Sequence, residues 1–101
     1  MCIRDRYGVD VAFENDHHVY KRTLPIKGDA VDPDGTIYMG DGSWGVKLRD
    51  IPWPKASRLD YMVRADKESS LIRVQLLPNM QRYDAFNAAG VPLDGVVRFT
   101  K

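Results

Sequence analysis

Phe13-Glu14-Asn15-Asp16-His17-His18-Val19-Tyr20-Lys21-Arg22-Thr23 is the stretch around which the chain is organised, because it carries both histidines and follows a short apolar segment. In that segment Val9, Val11 and Phe13 alternate with Asp10, Ala12 and Glu14, a period of two that is typical of a half-buried strand. The pattern predicts a strand that gives way to a loop. The loop carries three potential metal ligands, and functional side chains commonly lie on loops held by a rigid strand; the three are Asp16, His17 and His18.

The two histidines do not establish a metal site by themselves. Successive side chains of a strand point to opposite faces, so His17 and His18 reach one ion only where the backbone turns. From the residues alone, a metal site and a solvated loop both remain open.

The order of residues from Asn15 to Arg22 resembles the last sequence motif of the calcineurin-like metallophosphoesterases, and within them that of the purple acid phosphatases. That motif reads Gly-His-x-His-x-Tyr-x-Arg and follows a hydrophobic strand ending in Phe. Its second histidine falls on His18, its tyrosine on Tyr20 and its arginine on Arg22. The chain departs from the motif at two neighbouring positions, where Asn15 replaces the usual glycine and Asp16 replaces the first histidine. His17 occupies the variable position between the two histidines of the motif.

The resemblance continues downstream, where the family often has a proline, a variable loop, an Asp-x-x-Gly-Thr-x-Tyr strand and a Gly-Asp-Gly turn. This chain has Pro25, then Asp32 to Tyr38, then Gly40 to Gly42. The other family motifs, including Asp-x-His and Gly-Asn-His, are absent from the sequence. The resemblance therefore implies that residues 7–101 are the C-terminal part of a metallophosphoesterase domain. Residues 1–6 resemble translated sequencing adapter, and we expect them to be a non-native leader.

The resemblance implies an α/β parent, a four-layer αββα sandwich that hydrolyses phosphate esters through a dinuclear centre of Fe, Zn, Mn or Mg. By the same resemblance His18 would bind one ion and Asp16 the other, and His17 could serve as an alternative ligand. A carboxylate is a good ligand for hard divalent or trivalent ions. Tyr20 and Arg22 would hold the ligand loop in place. The expected partners are a phosphate-ester substrate and the missing N-terminal half, without which the chain is expected to be inactive.

The remaining sequence predicts mostly antiparallel β-strands with long loops and little helix. Residues 27–35 are rich in turn formers and predict a surface loop, and Thr36 to Met39 predicts a strand. The glycines of Gly40-Asp41-Gly42 are expected to allow positive φ. Residues 58–100 predict an antiparallel meander. Its first two segments, residues 59–65 and 72–76, alternate with a period of two. Two further segments, residues 82–86 and 95–100, are joined by a predicted hairpin at Asn87-Ala88-Ala89-Gly90.

Composition limits the classes of function. The 101 residues, 44% of them hydrophobic, suffice for one domain with a modest core. Fifteen basic and fourteen acidic residues give a net charge of +1, which argues against electrostatic binding of nucleic acid or of an anionic membrane. No apolar segment is long enough for a transmembrane helix, and the single cysteine excludes an internal disulfide. The alternative to a phosphoesterase is a small non-catalytic β-rich binding or accessory module, which leaves the ordered match from Phe13 to Gly42 as coincidence.

Overall fold

The computed structural model describes residues 6–15, 18–41, 43–44, 47 and 61–99. These residues form nine β-strands, which confirms the prediction of a mostly β structure with little helix. No helix in the described part of the chain has the length and apolar character needed to span a membrane. The strands are β1 (Val11–Glu14), β2 (Tyr20–Thr23), β3 (Ile26–Lys27), β4 (Ala30–Val31), β5 (Ile37–Asp41), β6 (Met62–Asp66), β7 (Ser70–Leu76), β8 (Met80–Asn87) and β9 (Pro92–Phe99).

The first sheet is mixed, with the strand order β1-β5-β2-β6. β1 and β5 run parallel, whereas β2 lies antiparallel to both β5 and β6. β1, β5 and β6 therefore end at the same edge of the sheet, and β2 begins there. This edge carries the loop between β1 and β2 that contains the histidines.

The second sheet is the antiparallel meander β7-β8-β9. The predicted hairpin between its last two strands is confirmed. Gly90 has φ of +79° and its amide donates to the Asn87 carbonyl, while the Asn87 side chain accepts from the amides of Ala89 and Val91. The turn forms locally because glycine takes this backbone conformation without steric cost.

The prediction of one meander from residue 58 to residue 100 is wrong at its first strand, and residues 58–60 lie outside the described residues. β6 pairs with β2 of the first sheet and not with β7. The intervening Asp66-Lys67-Glu68 lacks the glycine or asparagine that a tight hairpin favours, and it carries the chain between the two sheets. A period-two pattern indicates a strand but does not specify its partner.

The segment from 27 to 35 is also more ordered than the predicted loop. β3 and β4 form a short hairpin through Gly28 and Asp29, which both have positive φ. Positive φ at both central residues is the geometry of a type I′ turn. The following turn is closed by Asp32, whose carbonyl accepts from Gly35 and whose side chain accepts from the Asp34 amide.

The hydrophobic core lies between the two sheets. It combines residues from one face of the first sheet with inward residues of the second sheet; they are Tyr20, Ile37, Met39, Tyr83, Ala85 and Leu93. Tyr20 and Met39 are almost fully removed from solvent. The strand that follows the histidines is thus fixed by the core.

Candidate metal site

The loop with the histidines lies at the edge where the strands of the first sheet end. Glu14, the last residue of β1, pairs with Gly40 of β5, and Tyr20, the first residue of β2, pairs with Asp41. Since β1 and β2 flank β5, the described ends of this loop lie on either side of the end of β5. On its other side Tyr20 pairs with Asp66, so the end of β6 reaches the same edge.

His18 is half-buried, and its ring orientation is set by one hydrogen bond. Its Nδ1 lies 2.9 Å from the backbone carbonyl oxygen of Lys47. Because a carbonyl oxygen only accepts, Nδ1 carries the hydrogen and Nε2 of the neutral ring keeps a lone pair. Metal-binding histidines commonly donate their second ring nitrogen to a carbonyl or carboxylate in this way.

Asp16 and His17, the other two predicted ligands, lie outside the described residues. Whether they share an ion with His18 remains a prediction. Within the described ranges, no group of three or more His, Cys, Asp or Glu side chains lies close enough together to hold a metal ion.

Tyr20 and Arg22, which the resemblance assigned to holding the loop, converge on Asp94 of β9. The Tyr20 hydroxyl donates to Asp94 Oδ2 at 2.8 Å. The Arg22 guanidinium makes a two-pronged contact, from Nε to Oδ2 at 2.6 Å and from Nη2 to Oδ1 at 3.2 Å. The three side chains therefore connect the first strand after the histidines to the last strand of the second sheet.

The electrostatics of this group follow from burial and pairing. Burial acts to raise the pKa of Asp94, but the hydrogen bonds from Arg22 and Tyr20, with the Arg22 charge and the Gly95 amide, lower the pKa below its ordinary value. Burial, followed by the hydrogen bond to Asp94 and its negative charge, raises the pKa of Tyr20 above its ordinary value. The group is therefore a charged carboxylate held by a cation and a neutral phenol.

Sequence reasoning missed Asp94. Its contacts with Tyr20 and Arg22 span 74 and 72 positions, so no local motif connects them. A signal was present nonetheless, since an acid lies among the apolar and small residues at the start of the strand, after Leu93 and before Gly95 and Val96. Tyr20 and Arg22 also share one face of β2.

Lys21 and Glu14 form a second ion pair on the opposite face of the sheet. The Lys21 side chain is only 5% exposed and passes across Gly40, whereas that of Glu14 is 44% exposed. Gly40 has no positive φ, so the expectation for this glycine is wrong. A glycine is needed there because Lys21 occupies the space of a side chain. Gly42 lies outside the described residues.

An open apolar groove of about 390 Å³ lies beside the ends of β1 and β5. Its lining residues are Phe13, Trp44, Ser70, Leu71, Ile72 and Val74. Below Trp44, the buried hydroxyls of Ser43 and Ser70 are hydrogen-bonded at 2.9 Å, which joins the turn after β5 to the start of β7.

The chain is similar in structure to the purple acid phosphatase isolated from seeds of yellow lupin (Lupinus luteus). The two agree with a TM-score of 0.80 at 18% sequence identity, over 94% of this chain and 18% of the lupin chain. The likeness is one of fold, and the chain spans less than a fifth of the length of the lupin protein. No protein-family model and no curated protein sequence matches the chain.

Proposed function

We propose that the chain is the C-terminal part of a metal-dependent phosphoesterase of the purple acid phosphatase type. The observation that carries this proposal is the orientation of His18. Its Nδ1 is engaged by the Lys47 carbonyl at the sheet edge, at the position of the second histidine in the resembled motif. The similarity in fold to a purple acid phosphatase supports the same assignment.

The donor chemistry of the loop fits a dinuclear centre. His18 would hold one ion through Nε2, and Asp16 would hold the other through a carboxylate oxygen, with His17 as the alternative ligand. When bound, such a pair of ions supplies a hydroxide at neutral pH and stabilises the charge on a phosphate ester. The role of Lys47 is to keep the His18 ring in the tautomer that binds, and that of Tyr20 and Arg22 is to fix the strand that follows.

Asp16 is the position at which this centre would differ from its relatives. A carboxylate adds one negative charge where an imidazole adds none, and it favours harder ions. We therefore expect Asp16→His to change the preferred metal and to make the bound water more acidic, since a more positive centre stabilises hydroxide better. Equal metal selectivity and an equal acidic limb of the pH–rate profile would show that Asp16 is not a ligand.

Catalysis requires the upstream part of the domain, which would contribute the remaining ligands and part of the substrate site. The test is to express the chain joined to its upstream reading frame and to measure metal content and hydrolysis of p-nitrophenyl phosphate. We expect two bound ions, and we expect His18→Ala to lose one ion and nearly all activity. Asp84→Asn, a substitution on the outer face of β8, is the matched control and should change neither.

The opposite result is equally clear. A joined protein that binds no metal, or that keeps full activity and metal content in His18→Ala, would refute the proposal. The non-catalytic β-rich module would then be the better description of the chain.

A further inference from the structure

We propose that Asp94 is a positioning residue of the candidate metal site, which acts on the His18 ring through Tyr20 and Arg22. The inference rests on the proposed function only in one respect, namely that the His18 ring is oriented in order to bind a metal ion. The orientation itself is a property of this chain and can be measured without a metal.

The contacts of Asp94 with Arg22 and Tyr20 are directional. The side chains of Arg22 and Asp94 are only 14% and 10% exposed, so each depends on the other for charge compensation. The two hydrogen bonds between the guanidinium and the carboxylate favour one common plane for the two groups. The hydrogen bond from the Tyr20 hydroxyl constrains the orientation of the carboxylate further. The Gly95 amide donates to Oδ1 and fixes the carboxylate from its own strand.

Asp94 is connected to the histidine through β2. Backbone pairing of Tyr20 with Asp41 and Asp66 fixes β2 within the plane of its sheet. This pairing does not fix the distance between β2 and the second sheet. Asp94 sets that distance through its contacts across the core. Val19 and Tyr20, the two residues after His18, are both 0% exposed. The position of β2 relative to the second sheet therefore also constrains the position of His18.

Packing between the two sheets does not by itself account for the charges of this group. Replacing a buried ion pair with well-packed apolar side chains is often neutral or stabilising, so sheet packing alone does not require charges here. Apolar contacts lack direction, however, whereas the hydrogen bonds of Asp94 define an orientation. A charged group beginning two residues after His18 is therefore best explained by control of geometry.

The experiment measures the tautomer of His18 in the 101-residue chain by long-range ¹⁵N–¹H correlation at about pH 8.5, where an imidazole is neutral. In the unsubstituted chain we expect the Nδ1–H form, as donation to Lys47 requires. In Asp94→Asn and in Tyr20→Phe we expect a mixture of Nδ1–H and Nε2–H forms. Tyr20→Phe keeps the ring and removes a single hydrogen bond, so it provides the answer should Asp94→Asn fail to fold.

Two controls separate positioning from general stability. Asp84→Asn makes the same chemical change in a carboxylate that also accepts from two arginines, Arg73 and Arg82, but lies on the outer face of the second sheet. Arg98→Lys weakens the fold at a distance from the histidine. Both should retain the Nδ1–H form of His18.

A Zn²⁺ titration followed on the His18 ring signals gives a second measurement. We expect binding about 10-fold weaker in Asp94→Asn than in Asp84→Asn, the lower end of the range for loss of a residue that orients a ligand. A folded Asp94→Asn or Tyr20→Phe that keeps the Nδ1–H form and the Zn²⁺ affinity would overturn the inference. A changed tautomer together with an inactive joined protein would refute the proposed function and leave Asp94 as the residue that positions His18.

Discussion

Substitution of Gly40 tests how Glu14, Gly40 and Lys21 pack together beside the loop that carries the histidines. A Cβ at Gly40 would lie 2.5 Å from Cγ, 3.0 Å from Cε and 3.2 Å from Cδ of Lys21. Nonbonded carbon atoms normally approach to about 3.5–4.0 Å. Gly40→Ala therefore requires the buried Lys21 chain to leave its place, because the nearest contact is with Cγ and not with the flexible end.

The cost follows from packing and from the unfolded chain. Overpacking a filled site typically costs about 1–3 kcal/mol. Replacing glycine with alanine restricts the unfolded chain and returns about 0.4–1 kcal/mol. The ion pair of Lys21 with Glu14 contributes at most about 1 kcal/mol, because Glu14 is nearly half exposed. We expect Gly40→Ala to lower the free energy of unfolding by about 1–2 kcal/mol.

A double-mutant cycle identifies the cause. Urea unfolding followed by far-ultraviolet circular dichroism gives the free energy of unfolding for Gly40→Ala, Lys21→Ala and the double variant. Once Lys21 is shortened, the alanine at position 40 has room. We expect Gly40→Ala to cost at least about 1 kcal/mol less in the Lys21→Ala background than in the unsubstituted chain.

Gly90→Ala is the matched control. Gly90 has φ of +79° with nothing within 4 Å of its Cβ position, so alanine there costs about 1 kcal/mol through the backbone alone. That cost should add to the cost of Lys21→Ala without coupling. The reasoning about Gly40 is refuted if Gly40→Ala leaves the stability unchanged, or if its cost is the same with and without Lys21.

Four further predictions concern individual polar groups and the activity of the chain. Asp94, with its lowered pKa, contributes stability that is present above about pH 4 and is lost as the pH falls through its folded-state pKa. When the midpoint of urea unfolding is plotted against pH, its decrease at acid pH should therefore be smaller in Asp94→Asn than in the unsubstituted chain. Tyr20, with its raised pKa, contributes stability that is lost as the pH rises beyond about 10, and an unchanged alkaline limb in Tyr20→Phe would contradict this. Arg98→Lys should lower the free energy of unfolding by about 1–3 kcal/mol. The Arg98 guanidinium donates to the carbonyls of Asp10, Pro33 and Gly35, and a single ammonium cannot replace all of these hydrogen bonds. An unchanged melting temperature would show that these hydrogen bonds contribute little. The isolated chain should hydrolyse no p-nitrophenyl phosphate with added Mn²⁺, Zn²⁺ or Fe³⁺, and turnover that His18→Ala abolishes would show that the chain holds a complete site.

The parts of the fold that the sequence predicts correctly are those determined by neighbouring residues. β7 follows from the alternation of apolar and polar residues, and the hairpin between β8 and β9 follows from the asparagine and glycine of its turn. The partners of β1 and β6 could not be predicted in the same way. β1 pairs in parallel with β5, and β6 pairs with β2, and both pairings depend on contacts between distant segments.

The candidate site likewise contains residues that a local motif identifies and a residue that depends on contacts between distant segments. An ordered motif was enough to single out His18, Tyr20 and Arg22. Asp94 was missed because its contacts with them cross the core from a strand more than seventy residues later. Gly40 was given the wrong reason because a requirement for positive φ and a requirement for empty space both select glycine, and only the position of the Lys21 side chain distinguishes them.

The described end of the histidine loop is held by groups from elsewhere in the chain: the Lys47 carbonyl orients the ring of His18, and the core encloses Val19 and Tyr20. Tyr20 belongs both to the core and to the group that holds the loop, so truncating its ring would disturb folding and orientation together. His18 lies outside the core cluster. Its replacement should therefore affect the proposed chemistry with little effect on the fold, which makes His18→Ala the informative substitution for function and makes removal of the Tyr20 hydroxyl alone the informative one for geometry.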